Sequence, residues 1–232
     1  MGTKVSYPSL GGATDGYLAV PDGAGPGAPG VIVLHEWWGL VPHITAIADR
    51  FADAGFVALA PDLYRGESTG DRETAGRLKE TLPVDRAAAD IAGAADFLAA
   101  HPAVTGEIGA VGFSIGGSLA LWAPTLSERV IAGVGFYPSI PWSRLRPDWS
   151  GYAGKHAVIH CSEEDGTSTA AEVAAAAEAI RSAGGTVKLY DYPGSRHSFF
   201  NDDRPESYDR VDAVTSWART IETVRRLAPT VV

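Results

Sequence analysis

The hydrophobic pattern of this chain alternates between two periods. Short continuous apolar runs occur at Val31-Ile32-Val33-Leu34-His35, Phe56-Val57-Ala58-Leu59-Ala60, 107–113, 130–136, 156–161 and 186–190. Runs of this length, rich in β-branched residues and bounded by turn signals, predict strands buried on both faces. Between them lie stretches with apolar residues every third or fourth position. One covers about 44–54 and stops at Gly55, and a long Ala-rich one covers 84–100 and is closed by His101-Pro102. Another follows residue 114 to about 126. A further helix opens at Thr169, where Glu172 completes a T-x-x-E capping box, and ends at Gly184-Gly185; the last runs from about Pro205 to Leu227. Two N-terminal strands, about 4–7 and 16–20, precede a Pro/Gly-rich loop over 21–30. That loop lies too near the N-terminus to separate two domains. The pattern therefore predicts one α/β domain over residues 1–232, a mostly parallel twisted sheet of about eight strands with helices on both faces. The segment 138–151 reads as irregular.

Composition narrows the classes of function. A formal net charge of −9 argues against nucleic-acid binding, which needs a basic face. No stretch approaches the roughly 18 apolar residues of a membrane span, and the first residues hold no apolar run like a signal peptide. The single Cys161 excludes an intramolecular disulfide and suits a reducing compartment, so a cytoplasmic location is expected. Asn201 is the only asparagine and glutamine is absent. A monomer or a homodimer fits equally.

The chemistry concentrates at Gly112-Phe113-Ser114-Ile115-Gly116-Gly117, between a strand-like and a helix-like run. A G-x-S-x-G in that setting is a nucleophile elbow, a sharp turn that projects a serine hydroxyl toward a base. On a parallel sheet this points to an α/β-hydrolase fold, in which the triad follows the order Ser, Asp or Glu, His. The run ending at Cys161 enters Ser162-Glu163-Glu164-Asp165-Gly166, and the run ending near Tyr190 enters Pro193-Gly194-Ser195-Arg196-His197. The expected triad is Ser114, Asp165 and His197, with Glu163 and Glu164 as rivals for the acid. His197 accepts the serine proton, and the acid fixes the imidazole tautomer.

His35-Glu36-Trp37-Trp38-Gly39, at the end of the first parallel strand, is the second informative segment. Its position assigns the Trp37 N–H to an oxyanion hole, with the Ile115 N–H as the other donor. A carboxylate at Glu36 is expected to face the site. Other chemistries lack their motifs: His35-Glu36 has no second His of H-E-x-x-H, and His156 and His160 fall on one strand-like run rather than a helix. Gly133-Val134-Gly135 lacks the third glycine of a dinucleotide loop. No metal or other cofactor is expected.

With these segments in place the chain resembles the dienelactone hydrolase family, carboxymethylenebutenolidase-like members of the α/β hydrolases. The resemblance covers nearly the whole chain. It rests on His35–Gly39, Pro61-Asp62-Leu63-Tyr64, Gly112–Gly117, the Asp165 loop and Tyr192-Pro193-Gly194-Ser195-Arg196-His197-Ser198-Phe199. It implies a compact hydrolase of small esters or lactones with no large lid, acting through an acyl-enzyme, and Glu36 as an extra carboxylate in the site. The archetypal member carries cysteine at the elbow, where the Glu helps form the thiolate. Ser114 departs from that, so activation should fall on His197. The family also implies arginines that hold a substrate carboxylate. Arg72 or Arg77 matches the first, while Arg204 is displaced by several residues from the second. An apolar or aromatic pocket lined by Trp38, Tyr64, Tyr137 and Phe199 is expected instead. Other readings are a peptidase or cofactor-free perhydrolase on the same triad, or a non-catalytic ligand-binding relative.

Overall fold

The structure is a computed structural model that describes residues 1–10, 12–164 and 170–226. The expected helix start at Thr169 and the candidate acid Asp165 lie outside the described residues. In chain order the elements are β1 (Thr3–Ser9), β2 (Gly12–Ala19), β3 (Ala28–Leu34), α1 (Pro42–Asp53), β4 (Val57–Pro61), α2 (Arg72–Thr81), α3 (Val84–Ala100), β5 (Val104–Phe113), α4 (Ile115–Leu126), β6 (Val130–Phe136), α5 (Trp142–Leu145), β7 (His156–Glu164), α6 (Ala170–Ser182), β8 (Thr186–Arg196) and α7 (Arg210–Arg225).

Eight strands form one sheet in the order β1-β2-β4-β3-β5-β6-β7-β8. The pairs β1–β2 and β2–β4 are antiparallel, and every pair from β4 onward is parallel. Parallel strands need covered crossovers, which explains why the central strands are apolar without alternation. Val31 to Leu34 and all of β4 are buried. One apolar layer packs α3 and α4 against Ile32, Leu34, Leu59 and Ile108. The other packs α1 and α7 against Val31, Val33, Val111 and Val134. This is the α/β-hydrolase fold. The β6–β7 connection holds only the four-residue α5 and a 3-10 turn at Trp149–Tyr152, and no large lid covers the sheet edge among the described residues.

Four elements, α2, β7, β8 and α7, differ from the sequence pattern. Helix α2 was not apparent, because only Ala75 and Leu78 of its ten residues are buried; two contacts make no visible stripe. Its start is set by Asp71, whose carboxylate accepts the Thr74 N–H at 2.8 Å. Strands β7 and β8 run beyond Cys161 and Tyr190, past Pro193, which sits on the sheet's outer strand where a missing N–H is tolerated. The last helix starts at Arg210 rather than Pro205, where the Asp209 carboxylate caps the N–H groups of Val211 and Asp212 at 2.9 and 3.0 Å. At the opposite end, Asp90 of α3 is fully buried and accepts hydrogen bonds from Ser9, Thr14 and Arg65. It ties the N-terminal hairpin to the helix layer.

Candidate active site

The elbow is built by close backbone packing. At the junction of β5 and α4, Ser114 has φ 54° and ψ −114°, which an L-residue adopts only when its surroundings enforce it. They do so here: a Cβ on Gly112 would collide with the Gly116 carbonyl, and one on Gly116 with the carbonyls of Leu34 and His35. Much of the non-glycine backbone with positive φ gathers at the site. Of the five non-glycine residues with positive φ among those described, Ser114, Tyr137 (38°) and Ser198 (68°) surround it.

Ser114 is brought to His197. The hydroxyl lies 2.9 Å from His197 Nε2 and 3.0 Å from the Ser139 hydroxyl. His197 follows β8, and its ring leans on Tyr137 with centroids 4.9 Å apart. Strand β7 ends at Glu164 at the same edge. Glu164 pairs in register with Arg196, the residue before His197. Glu163 is engaged elsewhere, accepting the Gly194 N–H at 2.6 Å.

Ile115 is the first residue of α4, so its N–H has no acceptor within the helix and sits at the positive end of the helix dipole. The Trp37 N–H has no acceptor among the described residues. Its loop is held by His35, buried at the end of β3, which donates from Nδ1 to the Glu36 carbonyl at 2.6 Å. Burial pushes the His35 pKa down and keeps the ring neutral.

A cavity of about 390 Å³ opens over Ser114, lined by Trp37, Trp38, Ser139, His197, Arg72, Lys79, Arg196, Arg204 and Glu206 among others. These walls are not the aromatic ones expected. Of the proposed lining residues only Trp38 borders the cavity. Its indole carries the Arg204 guanidinium at 3.8 Å from the ring centroid, a cation–π contact. Tyr64 packs behind it against His35, and Phe199 lies in the core between Tyr137 and Tyr192. Tyr137 is fully buried, its hydroxyl donating to Glu36 at 3.4 Å. Glu36 does not face the cavity. Only 2% exposed, it accepts 2.6 Å from Asn201 Nδ2. An aromatic residue at a strand end buries more apolar area by turning under the sheet edge than by facing solvent.

Of the cationic wall, the family resemblance singles out Arg72 and Arg204, with Arg77 as an alternative to Arg72, but not Lys79 or Arg196. Arg72 and Lys79 come from α2, and Arg196 and Arg204 flank His197 in the chain; only the fold joins them. Glu206 offsets part of the charge through Arg72, 3.4 Å away. Asn201, conspicuous as the only asparagine, was the one available pointer to the Glu36 contact. Among the described residues no three His, Cys, Asp or Glu side chains converge as a metal site. No helix of the described residues is long and apolar enough to cross a membrane.

Strand order, elbow and a serine–histidine contact at the carboxyl edge of the sheet define an α/β hydrolase. Comparison with known proteins narrows the class: the dienelactone hydrolase family model matches residues 14–228, and the chain belongs to that family. The protein usf of Aquifex pyrophilus is 32% identical over 229 residues, covering 95% of this chain and 96% of its own. An Aquifex aeolicus protein provisionally named carboxymethylenebutenolidase is 31% identical over 94% of this chain and 95% of its own. A Klebsiella pneumoniae crystal structure, provisionally named dienelactone hydrolase, superposes with a TM-score of 0.86 at 25% identity, covering 97% of this chain and 98% of its own. A dienelactone hydrolase-like promiscuous phosphotriesterase from metagenomic libraries shares the fold, with a TM-score of 0.85 at 22% identity and 98% of each chain covered.

Proposed function

We infer that this protein opens small esters or lactones through an acyl-enzyme on Ser114, with His197 as general base and acid and Asp165 as the residue that orients the imidazole. The observation that carries this reading is the 2.9 Å contact between the Ser114 hydroxyl and His197 Nε2 at a strained elbow. Ser114 Oγ attacks the carbonyl carbon as its proton moves to Nε2. The carbonyl oxygen takes the electron pair beside the Trp37 and Ile115 N–H groups. Collapse expels the alcohol or ring oxygen, which takes the proton from His197. Water then repeats the sequence and frees the acid. The assignment of Asp165 rests on its place in the chain, one residue after Glu164, and on the engagement of Glu163 with Gly194.

Four cations against one carboxylate in the cavity wall favour a substrate with an anionic group near the scissile bond. The Glu36 carboxylate, bonded to Asn201 and Tyr137, supports the loop rather than activating the nucleophile. The test is labelling with a fluorophosphonate and hydrolysis of p-nitrophenyl acetate. Ser114→Ala is expected to abolish labelling and lower kcat by about a thousandfold or more. Undiminished turnover in that variant would end this reading.

A further inference from the structure

Ser139, on the segment after β6, stands directly beside the nucleophile. Its hydroxyl lies 3.0 Å from Ser114 Oγ, and its main-chain N–H donates to the Ser114 carbonyl at 3.2 Å. The second bond fixes the first, because the same residue grips both the backbone and the side chain of the elbow. The flanking contact repeats the arrangement. Ser118 Oγ accepts the Ile140 N–H at 2.8 Å and donates to the Ile140 carbonyl, so the segment after β6 is stitched to the first turn of α4. Ser139 is 5% exposed and borders the cavity.

Counting protons decides the direction of the bond. Three groups meet at Ser114 Oγ with two hydroxyl protons between them. When His197 acts as base, the Ser114 proton must point at Nε2. The Ser139 hydroxyl, which has no other partner among the described residues, then donates to Ser114 Oγ. One lone pair of Oγ remains for attack.

Resting on the acyl-enzyme reading above, we propose that Ser139 is a catalytic hydroxyl, a second donor that stabilises charge on the nucleophile oxygen whenever that charge develops. It does so twice per turnover. In acylation, negative charge grows on Oγ as its proton leaves for His197 and the bond to the acyl carbon forms. In deacylation the same bond breaks, the electron pair returns to Oγ, and His197 gives back the proton. Ser139 keeps its own proton throughout. A hydrogen bond to an ionising oxygen is about twice as strong as one to a neutral oxygen, so its gain falls on the transition states. In the acyl-enzyme Oγ is a poorly accepting ester oxygen and the bond weakens. Glu36 is bonded to Asn201 and Tyr137, so Ser139 is the described group beside His197 that meets this oxygen.

The experiment compares wild type, Ser139→Ala and Ser139→Thr by fluorophosphonate labelling rate, p-nitrophenyl acetate kcat and KM, and Tm. Removing the hydroxyl is expected to slow labelling and kcat about tenfold with KM and Tm nearly unchanged, and threonine is expected to restore most of the loss. Labelling of Ser139→Ala at the wild-type rate overturns the proposal and leaves the acyl-enzyme reading intact. A loss equal in both variants, or one matched by a fall in Tm, overturns it too by making the role one of packing. Wild type that does not label at Ser114 overturns the acyl-enzyme reading itself.

Discussion

The elbow and the cavity rim meet at Ser114 but are built from opposite materials. From Gly112 to Ser118 every residue is buried, and backbone approaches backbone with no room for one more methyl group. The rim is made of long charged side chains, Arg72, Lys79, Arg196, Arg204 and Glu206, each half-buried or exposed. Geometry at the elbow is fixed by sterics, which tolerate almost no substitution. Geometry at the rim is set by charge, which tolerates many substitutions and acts on whatever enters. The chemistry is therefore anchored in the core, while selectivity resides in parts that can change without unfolding the protein.

The strongest way to break that contrast is to add one methyl group at each end. Gly116→Ala is expected to destabilise the protein by about 3 kcal/mol in urea unfolding, since its Cβ meets two carbonyl oxygens. Gly70→Ala, two residues before the rim's Arg72 and with nothing within 4 Å of the new Cβ, should stay within about 0.5 kcal/mol. Comparable losses at the two sites would remove the distinction.

Acid should act on the core before the rim. His160 lies beneath the site, bonded to Tyr192 at 2.8 Å and Thr220 at 3.1 Å. Burial, with the Arg219 charge nearby, pushes its pKa from 6.5 down to about 3. The unfolded chain takes up this proton more readily than the folded one. Stability is therefore fully present above pH 6.5 and declines as pH falls toward 3, by about 2.5 kcal/mol at pH 4.5 from this group alone. His35 acts in the same direction. Urea unfolding from pH 7.5 to 4.5 should show the decline, and His160→Gln should flatten it. An unchanged slope in that variant would assign the acid sensitivity elsewhere.

The smallest effect belongs to the rim. Arg204→Ala is expected to lower kcat/KM for a carboxylate-bearing ester about tenfold and for a neutral ester less than twofold, with Tm unmoved. Equal losses on both esters would make Arg204 a wall of the cavity rather than a reader of charge.

The same division explains what was legible in the sequence. Buried strands, the elbow and the loop ending in His197 each carry a local signature: an apolar run, a glycine pair, a histidine after a strand. Helix α2 carries almost none, with only Ala75 and Leu78 turned inward. The cavity wall was misjudged because Tyr64, Tyr137 and Phe199 sit at strand ends, where sequence cannot tell whether a ring turns toward the cavity or the core. Ser139 is a single hydroxyl after a proline, and only the sheet register brings it to Ser114. The family resemblance names Arg72 and Arg204, but the separation of the Arg196–Glu206 segment from α2 along the chain hides their convergence with Lys79 and Arg196 in one wall.

The bond from Asn201 to Glu36 joins the loop after β3 to the loop after β8. It acts as a bracket across the mouth of the sheet. Trp37 follows Glu36 on one arm and His197 lies four residues before Asn201 on the other, so the bracket ties together the two loops that the proposed mechanism uses. A buried carboxylate–amide bond of this kind resists the separation of two loops that would otherwise be joined only through the sheet. Cutting it with Asn201→Ala would leave the Glu36 carboxylate buried with only the longer Tyr137 contact, so the mouth of the sheet is the part of the fold that this one side chain holds shut.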